Sequence, residues 1–274
     1  MSADVAMVAP IIVPIPAFAD NYIWAMLAGE RCVVVDPGDA APVLAFLAER
    51  KLTLDTILVT HHHADHIGGV DELTARWNVP VYGPAAENIP CVTHALREGD
   101  SVALPAFVTD PFRVIEVPGH TRGHIAYVSG DILFCGDTLF AAGCGRLFEG
   151  TAAQLHDSLT RLAALPDHTR VYCTHEYTLA NLRFALAVDA DNSDLIARSF
   201  VEQARRARGE PTLPSSILLE RATNPFLRCT SAGIIASAQT YARTHTVANL
   251  SESEMSHEVN VFAALRQWKN EFRV

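Results

Sequence analysis

The sequence predicts an α/β (α+β) protein with two packed β-sheets and outer helices, followed by a small C-terminal helical domain. Its 274 residues are 49% hydrophobic, which is typical of a globular chain and sufficient for a large core. Short β-like runs alternate with segments of helical spacing in the first part of the chain. From about Gln154 the pattern becomes mostly helical. We therefore predict two domains, residues 1–174 and residues 175–274.

The β-like runs of the first part are short and end at turn residues. Residues 31–36 are rich in valine and stop at a Pro-Gly-Asp turn, after which residues 42–50 show helical spacing. Residues 56–60 form a strand that runs directly into a histidine cluster, and residues 70–77 follow as a helix. The other predicted strands are residues 11–15, 22–27, 80–82, 102–104, 113–117, 124–129 and 131–135. This mixture of βα units and hairpins predicts the two sheets.

The later part of the chain carries the apolar spacing of amphipathic helices. The predicted helical segments are residues 152–165, 179–188 and 195–208, with a terminal helix at residues 259–272. Residues 216–222 follow two prolines and belong to the same helical domain. No internal repeat or low-complexity tract interrupts the pattern.

Charge and cysteine usage exclude several classes of protein. A net charge of −10 argues against nucleic acid or an anionic membrane as the main partner, since both require clustered Lys and Arg. The six cysteines are scattered without a CxxC pair, so we expect reduced thiols and a cytoplasmic location. The apolar residues 5–19 contain three prolines and no basic residue precedes Arg31, which predicts neither a signal peptide nor a membrane span.

The segment THHHADHIGG, which begins at Thr60, carries the residues that point to metal chemistry. His61 and His63 are two positions apart and share a face if the chain is extended there. Asp65 and His66 follow after a tight turn. Imidazole and carboxylate groups suit Zn²⁺ or iron, and four such groups exceed what one catalytic metal needs. The segment therefore predicts two metal ions.

Further candidate ligands follow three other β-like runs. His120 lies in PGHTRGH, Asp137 in CGDT and His175 in CTHE. Each position is a strand end, where loops carry functional groups on a rigid scaffold. His62, in contrast, should point away from its neighbours, and we expect it to pack or to support the ligands.

Together these motifs resemble a known family. The pattern HxHxDH followed by separate His, Asp and His is typical of the metallo-β-lactamase superfamily, whose fold is an αββα sandwich. More narrowly, THHHADHIGG, PGHTRGHIAY, FCGDTLF, GCGRLFEGT and HEYTLANLRFA are similar to the motifs of the glyoxalase II (hydroxyacylglutathione hydrolase) family. The similarity extends over nearly the whole chain, including the C-terminal helical extension.

The resemblance implies two divalent metal ions per chain, with zinc favoured and iron or manganese accepted by the same ligand types. Seven side chains would hold them: His61, His63 and His120 at one metal, Asp65, His66 and His175 at the other, with Asp137 bridging both. Metal binding lowers the pKa of water toward ~7, so the two ions would share a hydroxide. Asp65 and Asp137 would be the catalytic residues that act with it.

The implied reaction is hydrolysis of S-D-lactoylglutathione, and of other 2-hydroxyacylglutathiones, to D-lactate (or the corresponding hydroxy acid) and glutathione during methylglyoxal detoxification. The hydroxide would attack the thioester carbonyl, and a metal would stabilise the oxyanion. Because an ordinary thiol has a pKa of about 8.5, the thiolate leaves without a dedicated general acid. We expect a monomer that uses neither nucleic acid nor membrane.

Glutathione carries two carboxylates and one ammonium group, so its binding surface should be basic. The resemblance assigns substrate contacts to Arg146, Phe148, Tyr177, Arg266 and Lys269. Phe148 stands where the family often has tyrosine, so a hydroxyl is absent there. Arg266 and Lys269 are three positions apart on a predicted helix and share a face, from which both cations could reach one carboxylate.

Three alternatives remain at this stage. A glutathione-persulfide dioxygenase of the same superfamily uses one iron, but its relatives lack the C-terminal helical domain that carries Arg266 and Lys269. A lactonase, β-lactamase or nuclease would not need that basic pair. The third alternative, from another class, is an inert metal-binding interaction module. Metal analysis combined with thioester hydrolysis would distinguish them.

Overall fold

The computed structural model describes residues 10–245 and 257–273 of the chain. They form two compact units, which we describe separately. The first runs to Glu116 and adds Gly123–Gly136, whereas the second comprises Val117–Arg122 and the chain from Asp137 onward. The apolar residues 5–19 lie partly outside the described residues. No described helix has the length and apolar character needed to cross a membrane.

A mixed sheet of six strands forms one layer of the first unit. In spatial and chain order its strands are β1 (Ile11–Ala17), β2 (Asn21–Ala28), β3 (Arg31–Val35), β4 (Thr53–Leu58), β5 (Val81–Pro84) and β6 (His94–Leu96). The first three are antiparallel and the pairs from β3 to β6 are parallel. Parallel neighbours need crossover connections. The connection from β3 to β4 contains α1 (Ala40–Arg50), and that from β4 to β5 contains α2 (Ala64–Ile67) and α3 (Val70–Arg76).

Both faces of this sheet are buried. Val43 and Leu47 of α1 join Leu73 of α3 in a core cluster that contains alternate strand residues, such as Val34 of β3. The intervening strand residues, such as Trp24 of β2, are also buried. Because both faces are buried, a second layer must cover the face of the sheet opposite to α1 and α3.

The second layer is an antiparallel meander of four strands. These are β7 (Ser101–Val102), β8 (Phe112–Glu116), β9 (Ile125–Ser129) and β10 (Ile132–Gly136). The buried Tyr127 hydroxyl of β9 donates to the carbonyl oxygens of Val59 at 2.8 Å and Tyr82 at 3.3 Å. These hydrogen bonds join the meander to the six-stranded sheet, so the first unit contains two packed sheets with helices on the outer side of one.

The second unit is mainly helical. It contains a short hairpin of β11 (Leu139–Phe140) and β12 (Gly143–Cys144), and the antiparallel pair β13 (Arg170–Cys173) and β14 (Ser215–Ser216). Its helices are α4 (Ala152–Ala163), α5 (Thr178–Val188), α6 (Ser193–Ala207), α7 (Ile217–Thr223), α8 (Ala232–Thr244) and α9 (Glu258–Glu271), with a 3₁₀ turn at Pro225–Leu227.

Side-chain caps explain where two of these helices begin. The Thr151 hydroxyl accepts from the backbone N–H of Gln154, whose side chain accepts from the Thr151 N–H, forming a capping box at the start of α4. The Asn192 side chain accepts from two backbone N–H groups at the start of α6. These interactions satisfy donors that have no partner within the helix.

Aromatic side chains form much of the helical core. Phe184 of α5 contacts Phe226 and Trp268 with ring centroids 5.9 and 5.5 Å apart, and Phe226 contacts Phe262 at 5.5 Å. Sequence reasoning missed α8, because its sequence AGIIASAQTYART is rich in small residues. Its buried side chains are few and the apolar period is weak in isolation.

Candidate metal centre and substrate cavity

The histidine loop of the first unit leaves the sheet earlier than the sequence predicts. Strand β4 ends at Leu58, whereas the predicted strand continued to Thr60. The reason is Asp36, whose carboxylate accepts from both the backbone N–H and the hydroxyl of Thr60 at 2.8 Å. These bonds fix Thr60 against Asp36, just beyond the last residue of β4, and the histidines follow directly from this anchored position.

The four candidate ligands of this loop lie close together. His61 Nε2 and His63 Nδ1 are 3.0 Å apart, and the ligand atoms of His61 and His66 lie within 4.8 Å of one another. Asp65 Oδ2 is 3.6 Å from His66 Nε2. His63 has extended backbone angles, with φ −62° and ψ 145°. The local spacing therefore brings two imidazoles side by side even though the regular strand has ended.

Two residues that sequence reasoning missed support these ligands. Asp36 Oδ2 lies 3.1 Å from His66 Nδ1, and the Asn21 amide donates to Asp65 Oδ2 at 3.0 Å. Asp36 is buried and has a left-handed φ of 53°, a strained conformation that is common at functional sites. Its position at the end of a strand was the available signal. Nothing in the sequence around Asn21 indicated a supporting role.

His62 points to a different partner from its neighbours. Its Nδ1 lies 3.0 Å from Glu87 Oε2, and the other oxygen of that buried carboxylate accepts from the Gly123 N–H at 3.2 Å. His124 is buried and stacks on His61 with ring centroids 4.5 Å apart. This histidine lies in the PGHTRGH motif, but sequence reasoning did not assign it a role.

The second unit contains the other three candidate ligands. Asp137 Oδ2 lies 3.5 Å from His120 Nε2 and 3.3 Å from His175 Nε2, and all three side chains are buried. His120 Nδ1 lies 2.9 Å from the Arg146 carbonyl oxygen. We assign the proton to Nδ1, because a carbonyl can only accept. This tautomer gives Nε2 the lone pair that a metal requires.

The chemistry of both clusters fits divalent metal ions. They consist of imidazole and carboxylate groups, the ligand types that zinc and similar metals use in proteins. The outer atoms of His66 and His120 face a carboxylate and a carbonyl, respectively. Such contacts orient metal-binding imidazoles.

The second unit also contains a cavity of about 490 Å³, a size typical of small-molecule sites. Its walls include His120 and Asp137 together with every predicted substrate residue: Arg146, Phe148, Tyr177, Arg266 and Lys269. Phe148 meets the His120 ring edge-to-face, with centroids 5.2 Å apart, and Tyr177 stacks on His175 at 4.6 Å. The candidate ligands of this unit therefore adjoin a partly aromatic, partly basic cavity.

The two C-terminal cations have different surroundings. Arg266 is only 4% exposed, and its guanidinium donates to the carbonyl oxygens of Cys144 at 2.9 Å and Gly145 at 3.3 Å. Lys269 Nζ donates to the Ala180 carbonyl oxygen at 2.9 Å. Burial, assisted by the nearby Arg266 charge, lowers the pKa of Lys269 to about 8. Burial also raises the pKa of the Cys144 thiol, against the opposing effect of Arg266.

Two family models match adjoining parts of the chain. Residues 20–175 match the metallo-beta-lactamase superfamily, and residues 176–272 match the hydroxyacylglutathione hydrolase C-terminus. A relative named hydroxyacylglutathione hydrolase from Nitrosomonas europaea is 50% identical over 262 residues, covering 96% of each chain. One of the same name from Alkalilimnicola ehrlichii is 54% identical over 262 residues, covering 95% of this chain and 98% of that one.

Among solved structures, the chain is similar to ETHE1 from Myxococcus xanthus, with a TM-score of 0.61 and 28% identity over 94% of this chain and 99% of that one. Together with the family models, this similarity confirms the predicted metallo-β-lactamase fold with a C-terminal helical region. The family inferred from the sequence motifs is confirmed as well. The chain belongs to the hydroxyacylglutathione hydrolase family of the metallo-beta-lactamase superfamily.

Proposed function

We propose that this protein is a metal-dependent thioester hydrolase that cleaves S-D-lactoylglutathione and other 2-hydroxyacylglutathiones to the hydroxy acid and glutathione. One observation carries the proposal: two candidate metal ligands and all five candidate substrate residues line the same cavity. The names of relatives that are at least 50% identical over nearly the whole chain support the same reaction.

The proposed metal ligands are those that the family resemblance implies. His61, His63 and His120 would hold one divalent ion, Asp65, His66 and His175 a second, and Asp137 both, with zinc favoured over iron or manganese. When bound, such ions polarise a carbonyl and lower the pKa of water to about 7. Asp36 and Asn21 would hold His66 and Asp65 in their orientations, and the Arg146 carbonyl would hold His120.

The cavity residues would bind and orient the glutathione portion of the substrate. Lys269 and Arg266 place positive charge on one wall, where a carboxylate would be stabilised, and Arg146 offers a further guanidinium. Phe148 and Tyr177 present exposed aromatic surface against which the peptide can pack. The departing thiolate needs no proton donor from the chain, because it is a good leaving group.

We also propose where the protein acts, its oligomeric state and its domain boundary. We propose a cytoplasmic monomer that acts in methylglyoxal detoxification, and a domain boundary after residue 174. The boundary is supported by the two family models, which meet at residues 175 and 176. Light scattering of the purified full chain tests the monomer.

The decisive experiment compares thioesters with and without glutathione, alongside metal analysis of the same preparation. We expect about two metals per chain, because seven candidate ligands exceed what one metal ion needs. We also expect faster hydrolysis of S-lactoylglutathione than of the same acyl group on a small thiol. Replacing Lys269 by Ala should raise KM for the glutathione thioester several-fold without changing metal content. Lys51→Ala is the matched control, since Lys51 is exposed at the end of α1.

Two outcomes would contradict the proposal. Equal rates on both thioesters would remove the role of the basic cavity. One iron per chain together with oxygen uptake would favour the persulfide dioxygenase instead.

A further inference from the structure

The β11–β12 hairpin is held by buried polar side chains along its whole length. Its turn contains Ala142 at a left-handed φ of 54°, a conformation that is unfavourable for a residue with a side chain. The backbone carbonyl and N–H groups of the hairpin form hydrogen bonds with side chains from three helical segments. These segments are α5, α9, and α7 with the residue that follows it, Asn224. The surrounding helices therefore maintain this turn against its local preference.

Glu220 of α7 and the following Asn224 supply most of these contacts. The Ala142 N–H donates to Glu220 Oε2 at 2.8 Å. The Asn224 amide donates to the carbonyl oxygens of Phe140 at 3.2 Å and Gly143 at 2.9 Å, and also to Glu220 Oε2 at 2.9 Å. Both side chains are fully buried. We call this pair the hairpin clamp.

Arg198 balances the negative charge of Glu220 on the side of the carboxylate that faces away from the hairpin. Glu220 Oε1 accepts from the Arg198 guanidinium at 2.7 Å, and also from the Ser215 hydroxyl. Arg198 donates in addition to Thr223 at 2.6 Å. A buried charge is expensive unless it is paired and hydrogen-bonded. The chain therefore maintains a paired and hydrogen-bonded ionic network behind a two-stranded hairpin whose own side chains, such as Phe140 and Ala142, are buried.

The hairpin connects directly to two candidate metal ligands. The Gly145 N–H donates to the Thr138 carbonyl at 3.1 Å, and a side chain at Gly145 would collide with the Asp137 carbonyl. The next residue, Arg146, supplies the carbonyl that lies 2.9 Å from His120 Nδ1. A shift of the hairpin would therefore move Asp137 and release the orientation of the His120 ring.

We propose that Glu220 and Asn224 are positioning residues, which set the geometry of Asp137, His120 and Arg146 through the hairpin backbone. The inference rests on the proposed function, because it assigns metal ligation to Asp137 and His120 and substrate contact to Arg146. Neither clamp residue lines the cavity of the second unit. Their effect is carried by the hydrogen bonds of Phe140, Ala142 and Gly143.

The test compares Asn224→Ala with Thr223→Val in the full-length chain. Asn224→Ala removes the donor to both hairpin carbonyls. Thr223→Val removes a neighbouring hydrogen bond to Arg198 and leaves the hairpin contacts in place. Glu220→Gln is measured in parallel, because its amide must turn a donor toward either the Arg198 or the Ala142 side, and it keeps the test available if Asn224→Ala fails to fold.

The first readout is amide hydrogen exchange of the peptide that spans residues 138–148, which requires neither bound metal nor activity. We expect exchange about tenfold faster in the clamp variants and unchanged in Thr223→Val. The second is zinc affinity by chelator competition, where we expect a Kd raised by about 10–100-fold in the clamp variants, the usual effect of losing ligand support. KM for the glutathione thioester at saturating zinc should rise as well.

The outcomes separate this inference from the proposed function. Unchanged zinc affinity and KM in variants whose hairpin exchanges faster would overturn the positioning role, while wild-type hydrolysis would stand. Equal losses in Thr223→Val would also overturn it, since a general loss of stability would then explain the effect. A wild-type protein that does not hydrolyse glutathione thioesters would instead refute the proposed function.

Discussion

Replacing Lys269 by Met should make the protein more stable and a weaker binder of substrate. Lys269 is a cation in a cavity whose surroundings disfavour charge, because burial and then Arg266 lower its pKa from 10.5 to about 8. At pH 7 the folded protein therefore contains a lysine that would be better accommodated without its charge. Methionine keeps an unbranched apolar stem and removes the ammonium group.

The expected gain in the free energy of unfolding follows from the lowered pKa of Lys269. A fall from 10.5 to about 8 corresponds to about 3 kcal/mol at ~1.4 kcal/mol per pKa step. We reduce this figure by about half, because the side chain is partly reached by water and its charge is screened. Methionine also loses the contact of Nζ with the Phe184 ring at 5.3 Å and the hydrogen bond to Ala180. At about 0.5 kcal/mol for each lost contact, the expected net gain in unfolding free energy is about 0.5 kcal/mol.

The assay is urea unfolding of wild type and Lys269→Met between pH 7 and pH 10.5, at constant metal concentration. Between pH 8 and 10.5 the folded wild type loses the Lys269 proton, whereas the unfolded chain retains it. Stability rises with pH when the unfolded state binds more protons, so the wild type approaches the variant in this window. The advantage of the variant should be largest at pH 7 and vanish near pH 10.5.

Two results would refute this reasoning. One is a variant that is less stable than wild type at pH 7, and the other is an advantage that does not change between pH 8 and 10.5. KM for the glutathione thioester should rise in the variant at pH 7. It should also rise in the wild type as pH increases through 8, because Lys269 loses its charge. Lys51→Met, at an exposed lysine, is the control for both measurements.

Asp36→Asn should weaken zinc binding by about 10–100-fold in chelator competition, since an amide cannot replace both carboxylate contacts to Thr60 and His66; unchanged affinity would exclude this supporting role. Arg198→Met should lower the unfolding free energy by about 3–5 kcal/mol in urea, because it leaves Glu220 charged and buried, and a loss below about 1 kcal/mol would show that the pair is dispensable. Phe148→Tyr should change the unfolding free energy by less than about 0.5 kcal/mol, because Phe148 is 62% exposed. The same variant should lower KM for the glutathione thioester, because it adds a hydroxyl to the cavity. An unchanged KM would indicate that the substrate does not reach this ring.

The regular elements were predictable where the local pattern was strong. The terminal helix predicted at residues 259–272 is α9, Glu258–Glu271, and the valine-rich run at residues 31–36 is β3, Arg31–Val35. Helix α8 was missed because its small residues produce a weak apolar period. Strand β4 was predicted to extend too far, because its end depends on Asp36, a residue 24 positions away from Thr60.

Residue types and short spacings determined much of the chemistry. The histidines and carboxylates of THHHADH, and the separate His120, Asp137 and His175, predict metal-ligand chemistry, since few other arrangements place so many such groups at strand ends. These motifs also identified the family. This information lies within a few residues of each ligand, which is why it can be read without a structure.

Only the tertiary structure decided which groups form hydrogen bonds with the candidate site residues and their neighbours, and which groups shift their pKa values. The hydrogen bond from Arg266 to the Cys144 carbonyl joins residues 122 positions apart, and that from Asn224 to the Phe140 carbonyl joins residues 84 apart. The low pKa of Lys269 likewise depends on burial and on the neighbouring Arg266. Burial and contacts between distant segments arise from packing of the whole chain, so no local spacing in the sequence specifies them.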